Sequence, residues 1–115
     1  MRWTHLIGGL AGVAGILGAT LHAHALPVPA LGQAAYMALF HAAPLLWLSR
    51  EKRSLLSILQ GVFFSGGVLL FTGSIYLKYL AGWDQATVIA PAGGTLLIGG
   101  WCLVAVSALR RRMPA

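Results

Sequence analysis

Charge is what this sequence has least of: 9% of its 115 residues are charged, and only two, Glu51 and Asp84, are acidic. A soluble domain averages about 25% charged residues. With so few polar side chains to cover a water-facing surface, an ordinary soluble globule is excluded. Disorder is excluded too, since 58% of the residues are hydrophobic and the mean hydropathy is +0.81. The two carboxylates fall in separate loops and offer no pair for acid–base chemistry. The single cysteine, Cys102, excludes an internal disulfide and any multi-cysteine metal site. Lying in an apolar run, it reads as a small buried hydrophobe. No nucleophile triad can be assembled, and the Gly-Gly pairs lack the preceding strand and the following Lys-Ser/Thr of a phosphate loop. The chain is therefore read as non-enzymatic, with no catalytic residue and no cofactor.

What the sequence does have is apolar length. A hydrocarbon core of roughly 30 Å takes about 20 helical residues to cross, and four such runs occur, over residues 3–24, 30–49, 55–77 and 87–109. The fold class is all-α, an integral membrane four-helix bundle forming one membrane domain over residues 1–115. Pro27 and Pro29 mark the first turn, because proline lacks a backbone donor and disfavours helix in the residue before it. The cluster Arg50-Glu51-Lys52-Arg53 stops the second run at a headgroup boundary. Lys78 can snorkel, and Tyr79 and Trp83 suit an interfacial belt, before the turn 81–85. Pro91 near the start of the last run is tolerated where an amide hydrogen is not needed. Arg2 followed by an apolar stretch and Ala23-His24-Ala25 also resembles a secretory signal with a small-x-small cleavage site. With Met1 retained, the segment is read as a true span.

The net charge of +6 is placed at membrane flanks, not in a nucleic-acid patch. Arg2, Arg50, Lys52, Arg53, Arg110, Arg111 and Arg112 fall on one side and Lys78 on the other. Short cytoplasmic loops retain Lys and Arg, so both termini and the central loop are expected in the cytoplasm. Fifteen glycines suit helix packing in lipid, where association depends on close backbone approach at small residues. Expected small faces are Ala11, Gly15, Ala19 and Ala23 with the Gly8/Gly12 pair on the first helix, Gly61, Ser65, Gly66, Gly73 and Ser74 on the third, and Gly93, Gly94, Gly99 and Gly100 on the fourth.

Ionisable residues inside a span are functional candidates by default. His41 falls nine residues before Arg50, roughly 13 Å inside the boundary at 1.5 Å per residue, and is the most deeply placed ionisable group. His5 is interfacial. His22 and His24 lie about 200° apart round a helix and cannot share one face. His22, His24 and His41 are the candidate ligands for a metal or haem. However, ligating nitrogens must stand about 2 Å from a metal, whereas these residues differ in depth by roughly 10–15 Å. The alternative is a neutral His41 hydrogen-bonded to a neighbouring helix, with His22 and His24 at headgroup level. Gln60, Thr72, Ser74, Tyr76 and His41 are the residues available to a transport path, which in four helices would need an oligomer.

The segments Leu70-Phe71-Thr72-Gly73-Ser74-Ile75-Tyr76-Leu77, Ala90-Pro91-Ala92-Gly93-Gly94 and Gly99-Gly100-Trp101 resemble the small YgdD-like bacterial inner-membrane proteins, the domain-of-unknown-function 423 family. The resemblance spans nearly the whole chain, including His24 before the first loop and His41 in the second span. It implies a four-helix protein of the bacterial inner membrane and brings no established reaction. The chain departs from the family pattern at His22-Ala23-His24, where members show Gly-Ala-His, and at Met37 and Ala38, where members show Tyr-Gln. In the pattern, Gly73 to Tyr76 and Pro91 to Gly94 both fall near the outer face. There they either shape a small polar pocket at a helix start or satisfy backbone groups at the junction.

Three functions are then open: a small accessory or stabilising subunit of a larger membrane complex, which is the leading expectation; a channel or transporter for a small solute or ion; and a histidine-ligated metal or haem protein. The expected partners are the lipid bilayer and a membrane protein or a second copy of the chain, with no nucleic acid.

Overall fold

The computed structural model describes residues 1–112, with side chains described through residue 109. The elements are α1 (Arg2–His24), α2 (Pro29–Arg50), α3 (Leu55–Ala81), a 3₁₀ segment (Asp84–Ile89) and α4 (Ala90–Arg112). All four α-helices are long and apolar enough to cross a membrane. At 1.5 Å per residue they run roughly 33–40 Å, which covers a hydrocarbon core of roughly 30 Å. The side chains of Arg110, Arg111 and Arg112, counted above as cytoplasmic, lie outside the described residues.

Local chemistry explains the boundaries. Pro29 opens α2 at a position where a missing N–H is harmless. Pro44 lies inside α2, which nevertheless runs unbroken to Arg50. Ser54 caps α3 reciprocally with Ser57: the Ser57 amide donates to the Ser54 hydroxyl at 3.2 Å, and the Ser54 amide donates to the Ser57 hydroxyl at 2.8 Å. At its far end α3 runs four residues beyond the expected Leu77 and stops at Gly82, whose φ of +79° is the left-handed cap that glycine adopts without a Cβ clash. The expected turn at 81–85 and the start of a span at 87 are thus replaced by a cap and a 3₁₀ segment. That segment buries Ala86 and delivers the chain to α4 at Ala90. Lys78 holds its ammonium 5.2 Å from the centre of the Tyr79 ring at this end of the molecule.

The helices pack in chain order, α1 on α2, α2 on α3 and α3 on α4, with α1 touching α3 lightly. Among the described residues no backbone contact joins α2 to α4 or α1 to α4. The bundle is therefore a folded ribbon with α2 and α3 at its centre. On one face α1 and α3 flank α2, and on the other α2 and α4 flank α3. The buried cluster Ala11, Ala38, Leu45, Leu48, Phe64, Val68 and Leu97 runs through the centre. Lipid gives no hydrophobic drive between helices, so close packing and interhelical hydrogen bonds hold these contacts. Arg2, Arg50, Lys52 and Arg53 share one end of the molecule, since the Met1 amine donates to the Ser49 carbonyl at 2.9 Å.

Small residues set the approaches, on part of the expected face of α1: Gly8, Ala11 and Gly15 are buried, whereas Gly12, Ala19 and Ala23 are not. The buried positions there are Thr4, Gly8, Ala11, Gly15 and Gly18. Their alternating steps of four and three follow the left-handed packing repeat of antiparallel neighbours, not a strict four-residue spacing. Ala19 is consequently half-buried and Ala23 exposed, and a Cβ at Gly12 would meet nothing within 4 Å. The tightest crossing is Gly93 of α4 on α3, where a Cβ would collide with the amide of Phe71 and stand 2.9 Å from the carbonyl of Gly67. Cys102 is exposed on the lipid side of α4, contrary to the buried position expected. The physical reason is that the backbone of α4 comes close to one α-helix, α3, so most of its circumference faces outward.

Candidate functional site

Polar side chains sparse enough to be counted carry the interhelical hydrogen bonds, and three of them run from α3 to three different helices. Thr72 of α3 donates its hydroxyl to the Ala34 carbonyl of α2 at 2.7 Å. Tyr76 of α3 donates to the Ala14 carbonyl of α1 at 2.7 Å, fitting its ring over Gly18, where any Cβ would overlap the phenol. Gln60 of α3 donates through Nε2 to the Leu103 carbonyl of α4 at 3.1 Å. These residues, named above as available to a transport path, are thus spread over three interfaces.

The fourth bond involves His41. It is 4% exposed, making it the one buried titratable side chain among the described residues. Its Nδ1 lies 2.7 Å from the Met37 carbonyl, and its Nε2 lies 3.0 Å from the indole nitrogen of Trp101. A carbonyl only accepts and an indole N–H only donates. The two partners together therefore select the neutral tautomer with the proton on Nδ1 and the lone pair on Nε2. Phe64 of α3 lies beneath both rings, its centroid 5.5 Å from that of His41 and 5.1 Å from that of Trp101, edge-on to the latter. The expectations above did not include Phe64. It stands one turn after Gln60, a placement that becomes meaningful only once α2 and α4 are set on either side of α3.

The bond crosses a groove. Because α2 and α4 do not meet, they leave a cleft over α3 that opens toward lipid. On the far side of the His41–Trp101 bond from the basic end, the groove holds an apolar cavity of about 520 Å³ walled by Met37, Phe40, Phe71, Leu97 and Ile98. Gly94 also borders it, while Gly93, one residue away, makes the close approach to α3. On the other side, toward the basic end, a cleft of about 360 Å³ is bordered by Trp47, Glu51, Lys52, Ser54, Leu56, Ser57, Gln60 and Ser107.

The remaining named residues do not join this site. Ser74 donates to the Phe71 carbonyl of its own helix at 2.9 Å. Pro91 is exposed on α4, its carbonyl accepting from the Thr95 hydroxyl at 2.8 Å. With Tyr76 turned to α1, the Gly73–Tyr76 and Pro91–Gly94 elements do not converge on one polar pocket. Gly73 borders a small groove of about 180 Å³ between α1 and α3, and a Cβ there would meet nothing within 4 Å. His22 rests against Gly32, with its Nδ1 buried and unpartnered, while His24 and His5 are exposed. Among the described residues no three His, Cys, Asp or Glu side chains stand close enough to hold a metal ion. His22, His24 and His41 are accordingly not brought together.

Comparison with known proteins places the chain. Over 74 residues it is 32% identical to the UPF0382 inner membrane protein YgdD of Escherichia coli strain K12, a match covering 62% of this chain and 56% of that protein. The proteins of the same name from Escherichia coli O157:H7 and Shigella flexneri match with the same figures. The match thus spans about half the length of these relatives. No solved structure matches. The family described as "Protein of unknown function (DUF423)" matches residues 11–94, the greater part of the chain, and this multi-pass membrane protein belongs to that family.

Proposed function

We propose that this protein is a non-enzymatic accessory subunit of the bacterial inner membrane that docks a larger membrane protein through the outward face of α1. The observation that carries the reading is the pair Gly9 and Gly12. Gly9 is exposed and Gly12 half-buried on α1, and a Cβ at either would meet nothing within 4 Å. Glycine in a helix interior costs about 0.5–1 kcal/mol relative to alanine in water, and the fold itself draws no packing from these two. Small residues on a lipid-facing helix are what a second helix needs in order to approach closely. Exposed Leu6, Val13 and Ile16 border the pair and supply contact area. The family relatives described as inner membrane proteins support the location. The excess of Lys and Arg at one end supports an orientation with both termini and the 50–53 loop in the cytoplasm.

Purification of the full chain from its native membrane in mild detergent tests the reading. A stoichiometric partner of different mass is expected with the wild type and lost with Gly12→Leu, while the variant remains folded and membrane-inserted. A chain that runs alone, or only with copies of itself, contradicts the reading.

A further inference from the structure

His41 and Trp101 do more than brace the groove, for together they are the polar feature of a cavity whose other walls are apolar. That cavity holds about 520 Å³, and no charged side chain among the described residues lines it. His41 lies about 13 Å inside the basic boundary and Phe71 about 25 Å from Ser54, at 1.5 Å per residue. The cavity therefore runs from the middle of a hydrocarbon core of roughly 30 Å into its far half. Small-molecule pockets run from about 300 to 1,000 Å³, and roughly 150 Å³ of apolar space is enough to hold a benzene ring.

The chemistry of the pair limits what enters. A charged headgroup is costly at that depth. The Met37 carbonyl takes the Nδ1 proton of His41, so Nε2 offers a lone pair alone, while the Trp101 indole offers a proton alone. A carbonyl or ether oxygen can accept the indole proton, but it leaves the Nε2 lone pair without a donor. A hydroxyl serves both, accepting from Trp101 and donating to His41, and so replaces one hydrogen bond with two. To admit it, the two nitrogens, now 3.0 Å apart, separate by about 2 Å. The backbones of α2 and α4 do not meet and Trp101 is 47% exposed, so little opposes that movement. The rest of the molecule faces Phe40, Phe71, the Trp101 ring and the Met37 thioether, surfaces that favour an aromatic ring.

We propose that this cavity binds one lipophilic hydroquinone. A ring hydroxyl sits between Trp101 and His41, the ring lies among Phe40, Phe71 and Met37, and the tail leaves through the opening toward lipid. The site is independent of the docking face on α1.

Titration of the full chain in detergent with a decyl-substituted benzene-1,4-diol, its quinone and its dimethyl ether tests the proposal, followed by the indole NMR signals. One diol per chain is expected, shifting the signal that Trp101→Phe removes. The quinone and the ether, which cannot donate to Nε2, are expected to bind roughly tenfold more weakly. His41→Phe is expected to bring the diol to the level of the ether. Gly94→Leu adds a side chain at the cavity wall, where the nearest neighbour of a new Cβ is a Phe71 ring carbon at 4.0 Å, and is expected to weaken all three. Should His41→Phe fail to fold, the diol and ether on the wild type decide. Equal binding of the two, as for a cavity that takes any apolar occupant such as an acyl chain, overturns the proposal. So does a diol that does not bind, or a diol preference that survives His41→Phe.

Discussion

Trp101 and His41 sit 3.0 Å apart, indole N–H to imidazole Nε2, on two helices whose backbones do not meet. The bond spans the open groove over α3 and fixes the protonation pattern of the histidine, because the opposite nitrogen is committed to the Met37 carbonyl. It is a strut across a cleft. In lipid such bonds contribute about 0.6 kcal/mol on average and at most about 1.7.

Trp101→Phe keeps an aromatic ring over Phe64 and deletes only the donor. It is expected to lower unfolding free energy in mixed micelles by about 0.6–1.7 kcal/mol. A double-mutant cycle with His41→Phe should return most of that loss as coupling. Coupling near zero would show that the two rings merely lie together.

Gly93 and Gly12 should respond oppositely to the same added methyl group. Gly93→Ala drives a Cβ into the α3 backbone at Phe71 and is expected to destabilise by about 1–3 kcal/mol, the range for overpacking. Gly12→Ala enters open space and is expected to stay within about 0.5 kcal/mol of wild type. Thermal inactivation or denaturant titration in detergent ranks the two variants, and equal effects would contradict the described α3–α4 crossing.

Thr72→Val and Tyr76→Phe remove hydrogen bonds from α3 to two different helices. Each is expected to cost about 1 kcal/mol, and the pair should add, since they share no partner. Strong non-additivity measured by the same titration would mean that α1 and α2 respond as one unit.

Orientation is read from side-specific labelling. In a Cys102→Ala background, Asp84→Cys should react with a membrane-impermeant maleimide added outside intact cells. Arg53→Cys should react only after the cells are opened. The reverse pattern would place the termini outside.

The four helices and the bounds of α2 were legible because each has a local chemical cause: apolar runs of spanning length, Pro29 at the start of α2, and the charged run from Arg50 to Arg53 at its end. The depth of His41 follows from the same arithmetic. The partner of His41 did not. Its identity depends on how far α4 is set along α3, which the long cap at Gly82 and the 3₁₀ segment decide, and neither announces itself as more than a turn in the sequence. On α1 the expected face holds at Gly8, Ala11 and Gly15 but drifts off at Ala19 and Ala23, where Gly18 is buried instead, for a related reason. Glycine and alanine are so frequent there that spacings of four and of alternating three and four are both available, and only the crossing with α2 selects between them. Cys102 looked buried because its neighbours are apolar, yet apolar neighbours in a membrane helix distinguish interior from lipid poorly.

The claim that α1 docks a partner is tested most directly by a photo-crosslinking side chain at position 12, activated in native membranes, with position 106 on the outward face of α4 as the control. The expected result is one product from position 12, joining this chain to a single protein of different mass, and none from position 106. Lipid adducts alone at both positions, or a product of twice the chain's own mass, would contradict it.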